Sequence, residues 1–186
     1  MALARQKQDE ARGRLDMVTE MPRYWTALGR FIDHFSRVEF LLTRIAQSLT
    51  GLDDSVFLAL LSGARIDQLV GVIKRLMDVI DLDPERADHL QIALSKLPDI
   101  NRMRNDIVHF GWQADAMGMK VTNLHMVHLA ARKRETSISP EKIDDMTYDL
   151  NRIIGHLWLV LCFDSIEPAM RSDFFGGALQ REWRSR

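Results

Sequence analysis

Between Tyr24 and Thr50 the apolar residues Leu28, Phe31, Phe35, Val38, Leu42, Ile45 and Leu49 recur at strictly alternating steps of three and four. That spacing is the period of an amphipathic helix, with one apolar stripe about 40 Å long at 1.5 Å per residue. A stripe of that length has to be covered by other elements, and the rest of the chain supplies them in helical form. Gly51 stands where a C′ glycine ends a helix, and Asp53 or Asp54 suits the cap of a short helix through Leu61. Ile66, Leu69, Val70, Ile73, Leu76, Met77 and Ile80 mark a further apolar face, and Pro84 suits the first turn of the next helix. Ser139-Pro140 reads as an N-cap followed by proline at the first helical position. The helix it opens has the stripe Ile143, Met146, Leu150, Ile153, Ile154, Leu157 and Leu161, and is apolar nearly all round from His156 to Phe163. Such a helix lies in the middle of a bundle or at a subunit contact. The expected fold is mainly α, an up-and-down helical bundle.

The helical period is interrupted once. Between Gly111 and Ser139, Met117-Gly118 separates two short segments, the second containing Val121, Leu124, Val127 and Leu129, which predicts a β-hairpin over about 112–129 inserted before the last long helix. At 186 residues and 46% hydrophobic, the chain matches a single domain with a sizeable core. Within it, residues 1–22 form a helical or flexible arm, 23–168 the bundle, and 169–186 a loosely held tail that Phe174, Phe175 and Trp183 offer to dock.

A formal net charge of −1 provides no global field for nucleic acid, so attraction of that kind would have to be local. Basic groups cluster at Arg5, Lys7, Arg12 and Arg14, at Arg132, Lys133 and Arg134, and at Arg181, Arg184 and Arg186. The one cysteine, Cys162, has no internal partner and lies in an apolar run, the setting of a buried thiol in a reducing compartment. Neither a signal-peptide pattern nor an apolar run approaching the ~20 residues of a membrane helix is present, and a cytoplasmic location is expected.

The helix ending at His109 conflicts with its own pattern. With Ile100 at zero on a helical wheel, Met103, Ile107, Leu97, Val108, Leu90 and Leu94 define the apolar arc, and Arg104 falls within it at about 40°. An unpaired buried guanidinium costs several kcal/mol, so the fold has to provide an acid, a subunit interface or an anionic ligand. Glu39 is the candidate acid, because its neighbours Phe35 and Leu42 belong to the long stripe. Asn101 and Asn105 stand at the edge of the arc with His109 beyond them, whereas Arg102 and Asp106 read as a surface pair at i, i+4. His109 carries an imidazole, the side chain suited to taking or giving a proton, Asn105 is four residues before it on one face, and Arg104 carries a planar fork of donors matched to phosphate. Together they suit metal-free cleavage of RNA, with the 2′-hydroxyl attacking phosphorus, histidine handling the proton and arginine holding the anion. Arg104 and His109 differ by about 140° around the helix, so two copies facing each other make a better site than one.

The segment Arg104-Asn105-Asp106-Ile107-Val108-His109 resembles the Arg-x4–6-His signature of HEPN (higher eukaryotes and prokaryotes nucleotide-binding) domains, including the asparagine that often follows the arginine. With its surrounding helices the resemblance spans roughly Tyr24 to Pro168. It implies a helical bundle, usually a homodimer, in which the motifs of two subunits form a composite endoribonuclease site; Arg104, Asn105 and His109 would be catalytic, with Glu39 and Asn101 in support. It also implies a toxin–antitoxin or other defence setting, with an antitoxin or a small nucleotidyltransferase as partner. Other members keep the fold as a non-catalytic interaction module, in which Arg104 would be a structural buried charge. The hairpin and the near-neutral charge depart from the family's compact form.

Trp112, just past the motif, offers a ring for stacking on an RNA base or for sealing the hairpin against the bundle. Arg132, Lys133 and Arg134 are placed to follow an RNA backbone or to form a solvated face. His125 and His128 are three apart and point to opposite faces of a strand, so with no cysteine or acid to complete a ligand set no metal or other cofactor is expected. His34, His89 and His156 read as ordinary helix residues.

Overall fold

The computed structural model describes residues 2–109, 111–115, 118–122, 135–168, 170–171 and 182–185, with side-chain surroundings for 21–109, 137–168, 170–171 and 182–185. The chain folds as a helical bundle of α1 (Ala2–Thr50), α2 (Asp54–Leu61), α3 (Ile66–Met77), α4 (Pro84–His109) and α5 (Pro140–Cys162). Three short strands, β1 (Gly111–Asp115), β2 (Gly118–Thr122) and β3 (Glu135–Ser137), lie between α4 and α5. A short 3-10 turn, Phe163–Ser165, follows α5.

Of the two forms expected for the N-terminal arm, helical or flexible, the structure shows the helical one, continuous with the long amphipathic helix. Ala, Arg, Gln, Lys, Glu, Leu and Met, all strong helix formers, fill most of residues 2–21 and outweigh the donor that Pro22 removes. From Tyr24 onward the alternating stripe is buried: Tyr24, Phe31, Phe35, Val38, Leu42 and Ile45 are each 2% exposed or less. Each such side chain contributes about 1.5–3 kcal/mol by leaving water. Gly51 ends α1 with φ of 61°, a left-handed conformation that glycine adopts without the Cβ clash other residues meet there.

The stripe of α1 packs chiefly on α5 and then on α3, while α4 covers another side of α5. Central placement explains why α5 is buried almost all round from Gly155 to Val160, with Trp158 the exposed exception at 45%. Its start is fixed locally, with Pro140 in the first turn and the Ser139 hydroxyl accepting from the Lys142 N–H at 3.2 Å.

After α4, β1 pairs antiparallel with β2, Trp112 opposite Val121, and β2 pairs antiparallel with β3, Val121 opposite Thr136. The third strand was not expected from the sequence pattern. Residues 116–117 and 123–129 of the expected hairpin, with His125 and His128, and the basic cluster Arg132, Lys133 and Arg134 after it, lie outside the described residues, as do the side-chain surroundings of Trp112.

The tail differs from expectation in its last residues. Glu182–Ser185 lies against α5, with the Arg184 N–H donating to Asp149 Oδ1 at 2.9 Å and the Ser185 N–H to Asp149 Oδ2 at 2.7 Å. No helix among the described residues is long and apolar enough to cross a membrane.

Candidate functional site on the last turns of α4

Over its first half α4 buries Leu90, Ala93, Leu94 and Leu97. Over its second half it buries Ile100, Asp106 and Ile107 instead. At 100° per residue the buried arc moves round the helix by about 100° between the two halves. The change falls at Pro98, which sits inside the helix and supplies no N–H to Leu94. Arg104 and Val108, inside the arc on a straight wheel, are left on its outer edge: Arg104 is half-buried and Val108 is 47% exposed.

Arg104 is therefore supported differently from the sequence expectation. Its guanidinium carbon lies 5.3 Å from the ring centroid of Phe35 on α1, and Nη1 donates to Asn105 Oδ1 at 3.2 Å. Its Nε is buried with no hydrogen-bond partner among the described residues. Glu39 is half-buried one turn beyond Phe35, but no Arg104–Glu39 ion pair occurs among the described residues. The quadrupole of Phe35 thus takes part of the role expected of a carboxylate. The signal for this was present in the stripe of α1, where Phe35 and Glu39 share a face one turn apart.

Asn101 and Asn105 are half-buried, and His109, the last residue of α4, is exposed. Arg104, Asn105 and His109 occupy the last two turns of one helix, with Asn101 one turn earlier. They surround an apolar side chain, Val108, that is left in solvent.

Asp106 lies on another side. It is 5% exposed, not a surface residue, and Arg102 pairs with Asp99 at 3.2 Å rather than with Asp106 as the i, i+4 spacing suggested. A cleft of about 690 Å³ opens there between α4 and the first turns of α5, lined among others by Asp99, Arg102, Asp106, Lys142 and Asp145. Arg104, Asn105 and His109 do not line it. Val108 and His109, at the end of the motif, are exposed on the helix surface.

Two histidines read as ordinary helix residues instead form a pair. His89 Nδ1 and His156 Nδ1 are 2.9 Å apart, so one donates while the other accepts. Burial holds the His156 imidazole down at about 4, with His89 and Arg152 nearby adding to the effect, and burial also lowers His89. Among the described residues no cluster of three or more His, Cys, Asp or Glu side chains is arranged to hold a metal ion. Comparison with protein-family models, with curated proteins and with solved structures finds no match.

Proposed function

We propose that the chain is an HEPN-like, RNA-acting protein that works as a homodimer, with a metal-independent endoribonuclease site built from Arg104, Asn105 and His109 of two subunits. The observation that carries this reading is the surface of the last turns of α4. A guanidinium backed by an aromatic ring, a carboxamide that accepts from it, and a terminal imidazole surround an exposed valine. A lone helix surface of this kind lacks the enclosure that phosphoryl transfer needs, and a second copy laid across Val108 would supply it.

In the proposed reaction an imidazole nitrogen of His109 takes the proton of a ribose 2′-hydroxyl as that oxygen bonds to the adjacent phosphorus. Arg104 donates to the nonbridging oxygens as negative charge builds on them. The bond from phosphorus to the 5′-oxygen breaks, and that oxygen takes a proton from the protonated His109 of the partner subunit. The products are a 2′,3′-cyclic phosphate and a 5′-hydroxyl. Asn105, through its contact with Arg104, fixes the direction of the guanidinium fork. Glu39 and Asn101 flank the site, and any antitoxin or nucleotidyltransferase partner would act by covering this face.

The rival reading, a non-catalytic interaction module, relied on Arg104 being a buried charge neutralised by Glu39. The support of the guanidinium by Phe35 and Asn105, with no Glu39 ion pair among the described residues, favours the RNA-acting reading. A mixed RNA panel incubated in EDTA with folded wild type and His109→Ala at matched oligomeric state tests it. Cleavage by wild type alone is expected; inactivity of both supports the module, and equal activity places the reaction elsewhere.

A further inference from the structure

On the side of α5 where the tail lies, Asp149, Arg152 and His156 follow at i, i+3 and i+7, and all three are buried, Asp149 completely. A polar stripe of this kind is costly beside a bundle unless each member finds a partner. Asp149 finds its hydrogen-bond donors among the described residues only in the tail: the N–H groups of Arg184 and Ser185 and the Ser185 hydroxyl. No cation forms an ion pair with it among those residues.

The side chain preceding these donors fills a slot of matching chemistry. The Trp183 ring has the Arg152 guanidinium 4.1 Å from its centroid and the Lys96 ammonium at 5.2 Å. The His156 ring lies nearly parallel to it, at 20° with centroids 6.5 Å apart. Two cations and an imidazole against one indole form a receptor for an electron-rich aromatic group. The contacts fall within three consecutive residues: one ring, two successive backbone N–H groups, one hydroxyl, and the Arg184 guanidinium 3.9 Å from the centroid of the Tyr148 ring.

We propose that this face of α4 and α5 is a peptide-recognition groove for a Trp-Arg-Ser segment, filled in cis by residues 183–185 of the chain itself and open to the same segment of a second copy. The recognised groups form a short linear motif, and no bond in the contact depends on the tail belonging to the same chain. A carboxylate that accepts two adjacent N–H groups selects backbone, while the cationic slot selects the indole. The groove is separate from the motif face of α4, so its occupancy is read without reference to RNA.

Titration of a fluorescent peptide of the sequence Glu182–Arg186 into the full-length Trp183→Ala chain, checked for folding by circular dichroism, tests the proposal. Saturable binding is expected, weakened at least about tenfold when Asp149→Asn is added, because a neutral amide directs N–H groups at the tail's own donors. Full-length Asp149→Asn chain, whose tail is freed, should displace the labelled peptide at concentrations comparable to those of unlabelled peptide. Hydrogen exchange provides a second reading in wild type, where excess peptide should deprotect the Arg184 and Ser185 amides by replacing the resident tail. Absence of binding to Trp183→Ala together with unchanged wild-type exchange would overturn the proposal. So would binding insensitive to Asp149→Asn, or failure of the Asp149→Asn chain to compete.

Discussion

Arg104 shows how a single side chain separates structural from catalytic worth. Its guanidinium rests on Phe35 with no Glu39 ion pair among the described residues, so Arg104→Ala should remove a contact of about 0.5–2 kcal/mol rather than the 3–5 kcal/mol of a stranded buried pair. Urea denaturation reads that loss directly. If Arg104 also holds the phosphate, RNA cleavage should fall by about 10²–10³ in the same variant. The conflict at Arg104 was legible from the helical wheel alone; its partner was not, because Glu39 and Phe35 stand one turn apart on α1 and charge pairing made the acid the natural choice. His156 carries a different prediction. Its folded value of about 4 lies below the ordinary 6.5, so the unfolded chain binds the proton more readily and stability should fall as pH drops from about 6.5 toward 4. His89, lowered in the same direction, adds to that slope. Thermal denaturation across this window should show a flatter profile for His156→Gln than for wild type.

Among the elements, α1 and α5 were readable because one apolar period runs unbroken along each and their ends carry local signals, Gly51 for one and Ser139-Pro140 for the other. Phe31, fully buried in the stripe of α1, should cost about 3–5 kcal/mol when cut to alanine, measured by chemical denaturation. The wheel failed on α4 because it assumes one buried direction, whereas the buried arc moves at Pro98 and leaves Val108 outside. The tail was illegible for another reason. Its contact with Asp149 joins positions 35 and 36 residues apart through backbone N–H groups, which leave no mark on residue type. The hint that the tail docks came from its aromatic residues Phe174, Phe175 and Trp183, of which Trp183 is among the described residues.

For the whole molecule, the near-neutral charge means that, on the proposed reading, RNA would be held by a few placed groups rather than by a broad field. On the same reading one chain is half a site. Sedimentation should find wild type as a dimer and Val108→Arg as a folded monomer, since a charge set into an apolar contact between copies has no partner there. Cleavage should be lost with the dimer although every catalytic side chain is retained. The most direct test is end-group analysis of RNA treated in EDTA with wild type and His109→Ala. The account predicts 2′,3′-cyclic phosphate and 5′-hydroxyl ends from wild type and intact RNA from the variant. Intact RNA from both, or the same ends in equal yield, would contradict it.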